Sequence, residues 1–245
     1  MDRYLQLVQS VRACTRCDSA KHKEWSPAFD FSWDDGCGQT RHRLGNPREC
    51  EHPSTYAYLT WKGLHLNSRN PELLIVGQDP AGSLNCSVEH PSWLPGEHVV
   101  TNQNLRLLLQ AADVDPSRVH LTNAVLCLKP GAMSASLPAE CFRNCSEWLS
   151  RTIDVLNPLL VVALGGGAWN SIVSLYKYVP PVRYVHRALG GAVVQPPIRI
   201  TSSTAIVARF HCSPLGTSSR SIAMQIEDWK RIGDWLRANR QDKSG

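Results

Sequence analysis

At 245 residues and 42% hydrophobic content, the chain is long enough for one sizeable core, and no low-complexity run marks it as disordered. The first residues, MDRYLQLVQS, lack the apolar core of a secretory signal, and no apolar run reaches the length that spans a bilayer, which predicts a cytoplasmic protein with no membrane partner. A formal charge of +5 is a mild sign of a polyanionic partner, and nine cysteines without an export signal favour metal or cluster ligation over a disulfide framework.

Residues 2–13 carry Leu5, Val8 and Val11 at helical spacing, with Arg3 and Arg12 off that stripe, and read as a short amphipathic helix. The helix delivers Cys14 and Cys17, a C-x-x-C pair that brings two thiolates to one centre. By itself the pair fits zinc, a cluster or redox chemistry. Residues 18–70 lose periodicity and are rich in Trp, His, Gly, Pro and charge, which predicts an irregular insertion with a short strand at 56–61. Cys37, His42, Cys50 and His52 lie inside it at a spacing that matches no standard zinc finger.

The centre of the chain is the run LLIVGQDPAG at residues 73–82. Its apolar start predicts a strand buried on both faces, as in a parallel sheet, ending at Gly77 in a turn that displays Asp79 at the sheet's carboxyl edge. An acid there is a candidate catalytic group, although Asp also serves as a turn former or a helix cap. Residues 83–101 form a second irregular stretch with His90, Trp93 and His98, a candidate pocket wall. Residues 102–112 read as a helix capped by Asn102, with Leu105, Leu108 and Leu109 on its apolar face. A strand follows at 119–126, with Asn123 near its carboxyl end and Cys127 directly beyond.

Residues 138–156 predict a helix that contains Cys141 and Cys145 and stops before Pro158. A buried strand at 159–164 leads through Gly165, Gly166 and Gly167 into a helix reaching about residue 176. The last strand is 205–210, followed by the loop HCSPLGTSS and a closing helix from 219 to about 239. Strands alternating with helices imply right-handed crossovers. The fold class expected is therefore α/β: a three-layer α/β/α sandwich around a central parallel sheet, in a single domain spanning 1–245.

Four cysteines fall where a cluster could use them: Cys14, Cys17, Cys127 and Cys145. A tetrahedral zinc would take the same ligands, and Cys141, one turn from Cys145 on the same helical face, competes for the fourth place.

Three separated stretches, GQDPAG at 77–82, LTNAVLCLKP at 121–130 and HCSPLGT at 211–217, together resemble the uracil-DNA glycosylase superfamily in order and spacing. GQDP and H-x-SPL are similar to its family-1 enzymes. The opening C-x-x-C, TNxVxCxxP and a helix cysteine thirteen residues before a proline, Cys145 before Pro158, are similar to its iron-sulfur-containing family-4 enzymes. That second likeness favours Cys145 over Cys141 and a 4Fe-4S cluster over zinc. The chain also departs from family 1, with Ala81 and Gly82 where those enzymes carry a tyrosine and a histidine. That tyrosine excludes the thymine methyl, so thymine exclusion here needs another wall. Trp93, with His98 next, is the candidate stacking aromatic.

The resemblance implies a monofunctional glycosylase of base-excision repair, acting as a monomer on uracil in single- or double-stranded DNA. A DNA-binding relative with little turnover is the competing reading. Asp79 would hold the attacking water, and His211 would donate to uracil O2 as charge moves onto the departing base. Asn123 offers one acceptor and two donors, enough to read the N3–H and O4 edge of uracil against the amine of cytosine. Gln78 would support the pocket through its backbone N–H. Leu215 would fill the space left by the rotated base, and Ser83, Ser213 and Thr217 would contact phosphates, with Arg209 and Arg220 adding salt-dependent affinity. A cluster on Cys14, Cys17, Cys127 and Cys145 would brace the structure rather than perform chemistry, since base excision moves no electrons.

Overall fold

A computed structural model describes residues 3–12, 14, 16–17, 66, 68–79, 100–126, 137–176 and 196–240. At its centre is strand β1 (Leu73–Gly77), every residue of which is buried, as its unbroken apolar run requires. It pairs in parallel with β2 (Val119–Asn123) on one side and β3 (Leu160–Leu164) on the other. β3 pairs in parallel with β5 (Ala205–Arg209), and β4 (Ile198–Arg199) adds a short antiparallel edge to β5. The strand order is β2-β1-β3-β5-β4.

Helices cover both faces. Side chains that alternate along each strand divide the core into two layers, and burying one such as Leu73 or Ile75 contributes about 1.5–3 kcal/mol. On one face Leu74, Val76, Val161, Ala163, Ile206 and Ala208 meet α1 (Arg3–Arg12), α3 (Ala139–Leu156) and α4 (Gly166–Val173). On the other, Leu73, Ile75, Leu121, Val162, Leu164 and Val207 meet α2 (Val100–Ala111) and α6 (Ile222–Arg240), with Trp229 of α6 fully buried among them. The result is the three-layer α/β/α arrangement expected, with a mixed rather than wholly parallel sheet. The antiparallel strand is two residues long, too short to leave a periodic trace in sequence.

Several boundaries differ from the sequence reading. α2 begins at Val100, so Asn102 is a buried residue of its first turn rather than its cap. β2 ends at Asn123 because the amides of Ala124 and Val125 turn across the end of β1, bonding Gly77 O and Gln78 O at 2.8 and 2.9 Å. The segment after His211 folds into its own short helix, α5 (Pro214–Ser219), capped by Ser213 and opened by Pro214. Arg220 is extended, and α6 starts afresh at Ile222. α3 stops where Pro158 demands, with Asn157 in the left-handed region at φ 41°.

The order reverses at β1 and β3: β2 lies to one side of β1, while β3 and its successors lie to the other. Successive crossovers therefore diverge there, and their carboxyl ends frame a crevice in which open α/β folds bind ligands. Among the described residues no helix is long and apolar enough to cross a membrane. The strand expected at 56–61 lies outside the described residues, as do Cys37, His42, Cys50, His52, Ala81, Gly82, Ser83, His90, Trp93, His98 and Cys127.

Candidate active site

Asp79 stands two residues beyond β1, at the carboxyl edge of the sheet, and is partly buried. Gln78, beside it, donates from Nε2 to Asp79 Oδ1 at 3.0 Å and so fixes one carboxylate oxygen. The other end of the Gln78 side chain rests on the start of α4. A Cβ on Gly167 would stand 2.0 Å from Gln78 Oε1 and 2.6 Å from its Cδ, so the glycine run after β3 makes room for this amide. Gly165 begins the run at φ 88°, a conformation that side chains other than glycine rarely adopt.

His211 lies two residues beyond β5. It is partly buried, and desolvation holds its pKa below the ordinary histidine value, against an upward pull from the Asp79 charge. That pull brings the acid and the imidazole into one electrostatic neighbourhood. The backbone N–H of Ser213 donates to His211 Nδ1 at 3.0 Å. With Nδ1 accepting and the ring neutral, the proton resides on Nε2. The histidine is therefore set as a neutral N–H donor, the form needed to stabilise an oxygen on which negative charge develops.

The loop carrying His211 is clamped from two helices. Asn104 of α2 donates to Cys212 O at 2.8 Å, and Gln225 of α6 reaches His211 O at 3.5 Å and Arg220 O at 2.9 Å. Gly216 closes the turn, since a Cβ there would sit 1.8 Å from His211 O. Ser213 accepts the Gly216 amide at 3.4 Å as the cap of α5, which occupies its hydroxyl in shaping the loop. Leu215, in the first turn of α5, is 82% exposed. It is the most exposed of the large hydrophobic side chains among the described residues.

Asn123 closes β2 and is buried; its Cα pairs with Gly77 of β1, two residues ahead of Asp79. An acid, an amide and a neutral imidazole thus end three parallel strands at one edge of the sheet. Arg209 and Arg220 are engaged inside the fold rather than presented to a phosphate. Arg209 is buried, its Nη1 donates to Ala208 O at 2.7 Å, and desolvation brings its pKa down to about 10. Arg220 forms a two-pronged pair with the buried Asp228 of α6, Nη2 to Oδ1 at 2.7 Å. Sequence reasoning missed Asn104, Gln225 and Gly167. Gln225 had a trace, as a polar residue on the buried stripe of α6, while Asn104 and Gly167 act through contacts far apart in the chain.

The cysteines meet at another place, between α1 and α3. Cys17, Cys141 and Cys145 are buried and Cys14 is partly exposed. Three sulfurs receive N–H donors: Trp148 Nε1 reaches Cys14 Sγ at 3.3 Å, Asn144 Nδ2 reaches Cys17 Sγ at 3.4 Å, and the backbone N–H of Leu126 bonds Cys145. Burial pushes the Cys145 thiol up to about 12, opposed by that Leu126 bond. Cys141 differs, because its hydrogen bond to Cys17, its burial and the surrounding negative charges all raise its pKa and keep it a neutral thiol. Among the described residues no three His, Cys, Asp or Glu side chains form a group that would hold a metal ion. Soft sulfur donors that accept N–H bonds nevertheless suit a thiolate-held group in kind, and Leu126, bonded to Cys145, immediately precedes Cys127.

Residues 65–233 match the profile of the Uracil DNA glycosylase superfamily. The chain is also similar to a type-5 uracil-DNA glycosylase of Pyrobaculum aerophilum, at 28% identity over 107 residues. That likeness covers 44% of this chain and 42% of the relative's length. The matched span takes in β1 through most of α6, with Asp79, Asn123, His211 and the loop that carries Leu215. By that match and the sheet edge it encloses, the chain belongs to the uracil-DNA glycosylase superfamily.

Proposed function

We propose that the protein is a monofunctional uracil-DNA glycosylase that hydrolyses the N-glycosidic bond of uracil in DNA and leaves an abasic site. The observation that carries this reading is the state of His211: a partly buried, neutral imidazole whose Nδ1 accepts the Ser213 amide, which puts the ring proton on Nε2, with the Asp79 charge acting on the ring. Family membership and the type-5 relative support the same chemistry.

The target nucleotide must leave the stack before its glycosidic bond can be reached, at a cost of a few kcal/mol. Leu215 fills the vacated space without needing a hydrogen-bond partner. Asn123 reads the N3–H and O4 edge. The bond from C1′ to N1 breaks with its electron pair passing to the base, and His211 Nε2–H stabilises the charge that grows on O2. Asp79, oriented by Gln78, holds the water whose oxygen bonds C1′ and accepts the proton that water gives up, and before that its negative charge offsets the cationic character of the sugar. Ser213 acts through its amide on His211 and through its cap on the loop. Trp93 is the proposed stacking aromatic.

Cys14, Cys17 and Cys145, with Cys127, would hold a 4Fe-4S cluster. When bound, the cluster supplies a structural tie between the start of α1, the segment after β2 and α3, and no redox step in base release.

A uracil-containing oligonucleotide incubated with wild type and with Asp79→Asn tests the reading. Alkali-labile cleavage should fall by about 100-fold or more in the variant. Binding of uracil DNA by wild type without any cleavage would replace this reading with that of a damage-recognition protein.

A further inference from the structure

The described thiols are held by side chains of α3 that belong to no expected ligand set. Trp148 is buried, yet its indole N–H is spent on a sulfur, Cys14 Sγ at 3.3 Å. Guanidinium groups lie over its ring, Arg16 at 4.9 Å and Arg151 at 5.3 Å from the centroid, and fix the plane of the indole. Arg16 itself sits between the two cysteines of the C-x-x-C pair and bonds Glu147 and the carbonyl of Asn144, the latter at 3.2 Å. Asn144 answers with one amide nitrogen that reaches both Arg16 O at 3.1 Å and Cys17 Sγ at 3.4 Å. One turn and a quarter of α3 thus grips the amino-terminal C-x-x-C through both its backbone and its sulfurs.

Packing alone does not account for this. A hydrophobic contact between α1 and α3 would be served by Phe at 148 and by an aliphatic residue at 144, whereas both residues aim N–H donors at sulfur. An N–H bond to sulfur is strengthened when the sulfur is an anion, and hydrogen bonds to cluster thiolates help set a cluster's affinity and potential.

We propose that Trp148 and Asn144 are positioning residues for Cys14 and Cys17, donating N–H bonds that hold the two sulfurs as cluster thiolates and raise the cluster's reduction potential. This rests on the cluster reading given under the proposed function. Loss of a donor removes stabilisation from the more negative, reduced cluster, so the potential of a variant moves down. The bond from Leu126 to Cys145 comes from backbone and persists in either variant.

The test uses whole protein purified without oxygen as wild type, Trp148→Phe and Asn144→Leu, followed by iron content, redox titration and iron release to a chelator. The expected result is a brown wild type, variants with the same iron content, midpoint potentials more negative than wild type, and iron release about 10- to 100-fold faster. Unchanged potentials and release rates in both variants overturn the proposal while leaving the cluster in place. A colourless, iron-free wild type overturns the cluster reading first and this inference with it. Should either variant fail to fold, the milder Trp148→His and Asn144→Gln, each keeping an N–H donor, give the answer: potentials and release rates closer to wild type than those of the foldable donor-free variant support the proposal, and values equal to that variant's overturn it.

Discussion

The amide of Gln78 is held between Asp79, to which it donates at 3.0 Å, and Gly167, where a Cβ would stand 2.0 Å from its Oε1 and push it aside. The residue that aims the acid is thus itself positioned by a glycine from the neighbouring crossover. Gly167→Ala should displace Gln78 and lower single-turnover uracil release by about 10- to 100-fold, with folding stability changed by less than about 1 kcal/mol. Equal release rates in the variant and wild type would show that Gln78 does not orient Asp79.

Gly216 faces a harder obstacle, because the atom a Cβ would strike is the carbonyl of His211 and not the tip of a flexible side chain. Gly216→Ala should cost more than about 1 kcal/mol in denaturant unfolding and reduce uracil release as well. Leu215→Ala separates the two effects. Being exposed, it should leave stability within about 0.5 kcal/mol of wild type while slowing release from duplex more than from single-stranded DNA. An equal loss on both substrates would remove the wedge role.

Burial lowers the His211 pKa below its ordinary value of 6.5, and Asp79 pulls it partly back. Because the folded value is the lower one, the neutral ring favours the folded state above pH 6.5, and that contribution is lost as pH falls through the folded pKa. The ring should titrate below pH 6.5 in nuclear magnetic resonance spectra, with no loss of its donor on crossing 6.5. In Asp79→Asn the midpoint should fall further still. A midpoint at or above 6.5 in wild type contradicts the neutral-donor assignment.

His120 of β2 gives a cleaner case away from the site. It is fully buried, with Nδ1 donating to Ser68 O at 2.9 Å and Tyr4 packed edge-on at 5.5 Å, and desolvation lowers its pKa to about 4. Here too the depressed value means stability present above pH 6.5 and withdrawn toward pH 4, amounting to roughly 3 kcal/mol at the acid end. Urea unfolding of wild type and His120→Phe between pH 7 and pH 4 measures it. The variant should lose less stability on acidification, and parallel curves would rule the histidine out.

β1 and β3 were legible because Leu73–Gly77 and Leu160–Leu164 are uninterrupted apolar runs, buried on both faces. Asp79 stood out because it follows such a run, whereas Asn123, which ends the mixed strand VHLTN, and His211 took their roles from the family resemblance. The antiparallel edge strand escaped notice because two residues carry no period. The split between α5 and α6 escaped because a serine cap and a proline open a helix in the middle of what reads as one loop. The clamps from Asn104 and Gln225, and the buried fates of Arg209 and Arg220, depend on partners up to 108 residues apart, which no local pattern encodes. The choice of Cys145 over Cys141 rested on a resemblance.

The reversal of strand order at β1 and β3 has a consequence for how this scaffold tolerates change. The opening exists because the chain winds away in two directions there, so its existence owes nothing to whichever side chains furnish it. Side chains on that rim can vary in chemistry without altering the strand order, provided they leave the backbone of the loops as it is.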